Sequence, residues 1–251
     1  METTDDAVLG GRLRLLQPRR GHRIGHDAIL LAAATGAVAG EHAVDFGAGI
    51  GGAGLALAAR VPAIEVTLVE IDRVLSELAG ENVQRNKLGD RVRAVACDVE
   101  DADALAAAGL PAASADRVLM NPPFNDPARQ QSSPDARRRL AHVANKGLLS
   151  RWVASAARVL KPNGVLTLIW RAEALDDVLT ALAPAFGAVA VLPVLPRPGA
   201  QPIRVLVRAE KGGRGRWPDY SPLVLNDAAG RPGEAAERVL REAAPLALAG
   251  P

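Results

Sequence analysis

The sequence predicts an α/β fold, a mostly parallel sheet covered by helices on both faces. Three observations predict it. Short apolar runs at 42–46, 66–70, 94–98 and 118–120 alternate with helix-compatible stretches. A glycine cluster, Gly47-Ala48-Gly49-Ile50-Gly51-Gly52, follows the first run directly. The next three runs end in Glu70, Asp98 and Asn121, polar side chains at the strand tips where open α/β sheets bind ligands.

Taken in order, 25–39 reads as a helix entering the fold, with Asp27 in its first turn, where a carboxylate is favoured. A helix-capping role is ranked first for Asp27; a place facing the amino-acid part of a cofactor or a target amine is the alternative. His42 to Phe46 is a short buried strand, and 53–59 suits the helix after the glycines. A second strand, 66–70, leads to a helix over 73–88, and a third strand, 94–98, to an Ala-rich stretch that is helix or loop. The fourth strand, 118–120, runs into Asn121-Pro122-Pro123-Phe124. A polar loop over 125–146 and a helix over 149–160 follow, then the turn Lys161-Pro162-Asn163-Gly164, a strand at 165–170 and a helix at 175–182. Strands at 189–194 and 203–207, joined by Pro196-Arg197-Pro198-Gly199, form an antiparallel C-terminal hairpin.

The Asn-Pro-Pro-Phe turn carries the most chemical information. Two prolines offer no backbone N–H and fix their own φ, and the first biases Asn121 toward an extended conformation. The corner is stiff and presents acceptors without competing donors. The Asn121 side-chain oxygen and the Pro122 carbonyl can both accept from an exocyclic –NH₂, and Phe124 offers a face for stacking. The plain alternative is a proline-stiffened loop that merely ends a strand.

The upstream unit shifts the balance. Gly47, Gly49 and Gly52 fit G-x-G-x-x-G spacing, which permits a tight turn and close approach of a ligand to the backbone. Glu70, about twenty residues on, is placed to accept from both hydroxyls of a ribose. That unit alone suits a nicotinamide cofactor or S-adenosyl-L-methionine. Asp45, just before the glycines, would repel a pyrophosphate but could face a cationic amino-acid portion. Asp98 suits an adenine amino group. A hydride-transfer enzyme has no evident use for the Asn-Pro-Pro-Phe turn, so the methyl donor is the better reading.

Asp45-Phe46-Gly47-Ala48-Gly49-Ile50-Gly51, Glu70-Ile71-Asp72, Asp98 and Asn121-Pro122-Pro123-Phe124 resemble the ordered motifs of class I S-adenosylmethionine-dependent amino-methyltransferases. The turn Leu160-Lys161-Pro162-Asn163-Gly164-Val165-Leu166 resembles the one that class carries before its fifth strand. Within the class, the segment from Gly21 to Leu31 and the tail from Tyr220 to Asp227 are similar to the bacterial tRNA(Val) adenine-N6-methyltransferase family. That family often has Tyr where this chain has Phe124. The resemblance implies a Rossmann-like sheet of about seven strands. It implies S-adenosyl-L-methionine held by Asp27, Asp45, Gly47, Ala48, Gly49, Gly51, Glu70, Ile71, Asp98, Val99 and Asn121. It also implies catalysis by Asn121, Pro122, Pro123 and Phe124, with RNA, most directly tRNA, as partner. A release-factor glutamine or an amine in ribosomal RNA would suit the same turn, because a planar amide resembles the edge of adenine. A Rossmann oxidoreductase and a catalytically silent RNA-binding module are the more distant alternatives.

Composition sets limits. With 251 residues and 49% hydrophobic content, one sizeable core and one domain over 1–251 are expected. Within it, 1–40 is a segment capping substrate and cofactor, 41–210 the core and 211–251 a C-terminal extension. No apolar run approaches the ~20 residues of a membrane span, and the acidic start is unlike a secretory peptide. The single cysteine, Cys97, points to a reducing, cytoplasmic compartment and reads as a small core residue. Metal binding finds little support: His22 and His26 are four apart but lack further ligands, and His42 and His142 stand alone. Net charge is only +2, so attraction for RNA must be local. Arg129, Arg137, Arg138, Arg139 and Lys146 follow the proline turn on a natural lid, and Arg23 lies near the N-terminus. A further cluster holds Lys211, Arg214 and Arg216. Each cluster taken singly could be a solvated face.

Overall fold

A computed structural model describes residues 2–20, 23–123, 135–215 and 220–250, with 135–146 described by backbone alone. The chain opens with an antiparallel hairpin, β1 (Thr3–Val8) and β2 (Leu13–Pro18), followed by α1 (His26–Ala34). Then β3 (His42–Phe46), α2 (Gly52–Arg60), β4 (Glu65–Glu70), α3 (Arg73–Arg85) and β5 (Val92–Ala96) wind to one edge of the main sheet. After α4 (Ala102–Ala107) the chain returns to the sheet centre as β6 (Ala115–Met120). It continues through α5 (Asp135–Val159), β7 (Leu160–Arg171), α6 (Leu175–Leu182), β8 (Phe186–Leu195) and β9 (Arg204–Lys211). A two-residue strand, β10 (Leu223–Val224), and α7 (Glu234–Arg241) complete it.

The main sheet has the order β10-β8-β9-β7-β6-β3-β4-β5. Strands β7, β6, β3, β4 and β5 are mutually parallel, and β9 is antiparallel to both β7 and β8. The mostly parallel sheet and its C-terminal hairpin are as expected, with β10 added as an eighth, minimal strand alongside β8. Winding reverses between β3 and β6, and the crevice at their carboxyl ends is the place such a sheet reserves for ligands. Each face carries its own core. Leu68, Leu119, Ile169 and Leu206 pack under α1, α2 and α3, whereas Phe46, Val118, Leu168 and Trp170 pack under α4, α5 and α6.

Several boundaries differ from expectation for local reasons. Helix α1 stops at Ala34 because Thr35 turns extended and Gly36 lies against the Ala249 carbonyl of the tail, where a Cβ has no room. The stretch 135–146, expected as loop, is the first part of α5; it is rich in strong helix formers such as Ala, Leu and Arg. The Lys161-Pro162-Asn163-Gly164 turn lies inside β7 as an irregularity: Ala115 pairs Leu160, but Arg117 pairs Val165. Strand β5 ends at Ala96, so Asp98 sits in the loop beyond it rather than on the strand. The tail is fastened by two arginines. Arg60 donates to the Val239 and Ala244 carbonyls, and Arg208 to those of Leu248 and Ala249.

Candidate active site

Register brings the candidate residues to one edge. Phe46 pairs Met120 and Val69, so Gly47, Asn121 and Glu70 emerge side by side, and Glu70 in turn pairs Ala96, two residues before Asp98. Asp45 is opposite both Leu68 and Leu119. Because side chains alternate along a strand, Asp45, Glu70 and Asn121 point to the same face, that of α1 and α2.

The glycine turn is tightly held. Ala48 N donates to the Val69 carbonyl at 2.9 Å, Gly49 N to Glu70 Oε2 at 2.8 Å, and Gly51 N to the Ala48 carbonyl at 2.8 Å. Gly49 needs its φ of 57°, and an added Cβ would meet nothing within 4 Å; open space lies against the backbone there. Gly47 is closed on its other side, because a Cβ would strike the ring of Trp152 on α5. The third glycine of the expected spacing, Gly52, starts α2 and makes room for Ile24.

Asp45 is buried, and its Oδ2 accepts from Gly54 N at 2.8 Å, so it ties β3 to the first turn of α2. Burial first, and the nearby Glu70 charge second, push its carboxyl up to about 7 against the pull of that N–H. The folded form thus binds a proton more tightly than the unfolded chain, whose value is 3.8. Stability from this group is present at low pH and is lost as pH climbs through that window. Asp45→Asn keeps the acceptor for Gly54. We expect its thermal midpoint to match wild type near pH ~4 and to exceed it near pH ~8, checked by calorimetric scans at both. A parallel pH dependence in the two proteins would show that Asp45 is not the group responsible.

Glu70 is largely buried, and its second oxygen accepts from Asp72 N at 2.9 Å. Next to it Ile71 is 67% exposed, a large apolar side chain in water beside a carboxylate. Asp98 Oδ1 accepts from Glu100 N at 2.8 Å, and Val99 is buried beneath it. Cys97, half-buried just past β5 and packed against the core beneath α4, α5 and α6, has its thiol pushed up, first by burial and then by Asp98 and Asp101, which does not suit a nucleophile.

Asn121 stands at the tip of β6, beside the glycine turn. Its Oδ1 is buried without a hydrogen-bond partner among the described residues. Such an orphaned acceptor costs free energy unless something supplies a donor. Pro122 is buried beside it and Pro123 is exposed. Phe124 and Arg129 lie outside the described residues, as do the side chains of Arg137, Arg138, Arg139 and Lys146.

One expectation is corrected. Asp27 does not cap α1, whose N-cap is Gly25 with no side-chain bond; its Oδ2 instead accepts from Arg204 Nε at 2.9 Å. An ion pair with a strand 177 residues away outcompetes the local cap. Arg23, a candidate RNA contact, is ion-paired with Asp6 at the surface. Its guanidinium donates to Asp6, Thr4 and the Pro18 carbonyl, fastening the N-terminal hairpin. Sequence reading missed Arg204, Trp152 and Asn82, which meet the site only through tertiary contacts and carry no local signal. His42 lies between Thr67 and the Ser114 carbonyl, a structural position.

The methyltransferase small domain family matches residues 24–194. This chain belongs to that family. A tRNA1(Val) (adenine(37)-N6)-methyltransferase of Porphyromonas gingivalis is 31% identical over 160 residues, covering 62% of this chain and 61% of that protein. The chain thus matches somewhat under two thirds of that relative's length. The protein of the same name from Tolumonas auensis is 30% identical over 172 residues, 68% of each chain. Among solved structures, a predicted O-methyltransferase from Agrobacterium tumefaciens superposes with a TM-score of 0.71 at 29% identity, over 85% of this chain and 94% of that one. TrmN from Thermus thermophilus, at 21% identity, shares the fold with a TM-score of 0.53 over 73% of this chain and 48% of that one. Family and fold assign S-adenosyl-L-methionine as the cofactor. The residues present fit it: an open glycine turn, a carboxylate beside it and an exposed aliphatic side chain.

Proposed function

We propose that this chain is an S-adenosylmethionine-dependent methyltransferase acting on N6 of an adenine in RNA, and that the base is adenine 37 of tRNA(Val). The observation that carries the reading is the Asn121 Oδ1 at the tip of β6, beside the glycine turn, buried and without a hydrogen-bond partner among the described residues. The names of the relatives support the choice of RNA and of position 37.

S-adenosyl-L-methionine supplies a sulfonium methyl that is already electrophilic, so the protein's task is orientation. Glu70 would accept from the ribose hydroxyls and Ile71 would cover a face of the cofactor's adenine, with Asp98 and Val99 beside that base. Asp45, Asp27 and the turn of Gly47, Ala48, Gly49 and Gly51 border the amino-acid part. On the acceptor side, Asn121 Oδ1 and the Pro122 carbonyl each accept one N–H of the exocyclic amine. They draw its lone pair out of the ring and stabilise the positive charge that develops on nitrogen, most strongly where water is excluded. Phe124 stacks on the base, an interaction worth ~1–3 kcal/mol in single-strand binders. The base must be unpaired or extruded to reach this corner, and an anticodon loop offers such a base at low cost. Arg129, Arg137, Arg138, Arg139 and Lys146 are the proposed phosphate contacts. Arg23, already paired with Asp6, is a weaker candidate.

An anticodon stem-loop of tRNA(Val) with labelled methyl donor tests the substrate. Label is expected in the stem-loop carrying adenine at position 37 and absent when that base is guanine. Equal labelling of both would refute the assignment.

A further inference from the structure

We propose that the N-terminal hairpin β1–β2 is a working part of the cofactor site, with Asn82 and Gln17 as the positioning residues through which it holds the glycine turn in its binding shape. The inference rests on the cofactor alone and is independent of which acceptor is methylated.

Asn82, on α3, is fully buried, an unusual place for a helical amide. Its hydrogen bonds explain it. Oδ1 accepts from Leu16 N at 2.7 Å, and Nδ2 donates at 3.1 Å both to the Leu16 carbonyl and to the Ile50 carbonyl. One side chain thus completes the free edge of β2 as a neighbouring strand would, and fastens the glycine turn from below. Ile50 lies between Gly49 and Gly51, two of the three glycines, with Gly47, whose left-handed backbone shapes the turn.

Gln17 joins hairpin and turn at the other end. It is 3% exposed; its Oε1 accepts from Ile24 N at 2.8 Å, and its Nε2 donates to Asp6 at 3.1 Å. Ile24 in turn packs against Gly52, where an added Cβ would strike the end of its side chain. The hairpin is therefore linked to the turn indirectly, through Asn82 to Ile50 on one side and through Gln17 and Ile24 to Gly52 on the other. If its docking and the turn's shape are coupled, linkage is reciprocal: the hairpin strengthens cofactor binding, and cofactor must strengthen hairpin docking.

A natural control lies four residues along α3. Asn86, the C-cap residue, makes the same pair of bonds to β2, accepting from Arg14 N and donating to the Arg14 carbonyl, and its Nδ2 also donates to the Asn82 carbonyl, but it makes no bond to the turn. S-adenosylmethionine affinity by calorimetry and amide hydrogen exchange over residues 13–18, with and without cofactor, distinguish the two. Asn82→Ala is expected to weaken cofactor binding about tenfold, as losing a buried hydrogen bond and leaving its partner unpaired would. Asn86→Ala should stay within about twofold of wild type, although both variants lose hairpin bonds. Cofactor should slow exchange of the Leu16 amide in wild type and Asn86→Ala, and leave it unchanged in Asn82→Ala. Gln17→Leu should also weaken binding, and it decides the matter if Asn82→Ala does not fold. Equal affinities for Asn82→Ala and wild type, equal losses in both asparagine variants, or hairpin exchange indifferent to cofactor in wild type would overturn the proposal. With Asn82→Ala unfolded, unchanged affinity in Gln17→Leu would do the same. A wild-type protein that binds no cofactor would instead overturn the assignment of S-adenosylmethionine itself.

Discussion

Asn121→Ala is expected to lower turnover by about 10²–10³-fold, the loss seen when one preorganised hydrogen-bonding group facing developing charge is removed. Cofactor affinity should stay within about threefold of wild type, because Glu70 and the glycine turn are untouched. A second consequence separates this from ordinary damage to the core. Asn121 Oδ1 accepts from nothing among the described residues, so truncating it removes an unsatisfied buried acceptor rather than a bond. The thermal midpoint should therefore hold or rise while activity collapses, a trade expected where a site is kept ready for its ligand. Single-turnover methyl transfer, calorimetric titration and a thermal scan on one preparation check all three. Loss of affinity in step with activity would mean that Asn121 serves the cofactor and not the acceptor amine.

Glu70→Ala should show the opposite signature. On the proposed reading its carboxylate makes two charge-assisted hydrogen bonds to the ribose, each worth about 1.5–3 kcal/mol. It also accepts from Gly49 N and Asp72 N, so it holds both the turn and the start of α3. Truncation is expected to raise the cofactor Kd about 100-fold or more, with kcat at saturating cofactor within about threefold. Glu70→Gln, which keeps the shape and a neutral acceptor, should fall between. An affinity unchanged in Glu70→Ala would remove the carboxylate from the cofactor site. The contrast between the two variants tests the proposed division of labour along the sheet edge, in which the tips of β3, β4 and β5 serve the donor and the tip of β6 the acceptor.

What could be read from sequence follows the range of the forces involved. The span His42–Phe46 appears as β3 without adjustment, because an apolar run ending in a glycine cluster is a local signal. Glu70 and Asn121 sit at the tips of β4 and β6 for the same reason. The β8–β9 hairpin was legible from Pro196-Arg197-Pro198-Gly199 between two apolar runs. The N-terminal hairpin was not. Strand β1 reads Thr-Thr-Asp-Asp-Ala-Val, poor in strand-forming residues, and β2 is completed by asparagines of α3 rather than by a second sheet. The Gly10-Gly11 turn and the alternation of Leu13, Leu15 and Gln17 were the available clues. Asp27 shows the limit from another side: its carboxylate suits a cap, yet Arg204, far along the chain, holds it. Asn82 likewise looks like any polar helical residue until tertiary structure surrounds it.

Labelled methyl donor offered to total RNA and to total protein, with nucleoside and amino-acid analysis of the products, tests the acceptor assignment most directly. N6-methyladenosine formed by wild type and lost in Asn121→Ala is the predicted result. Methylated glutamine, or label on an oxygen atom, in place of N6-methyladenosine would contradict it.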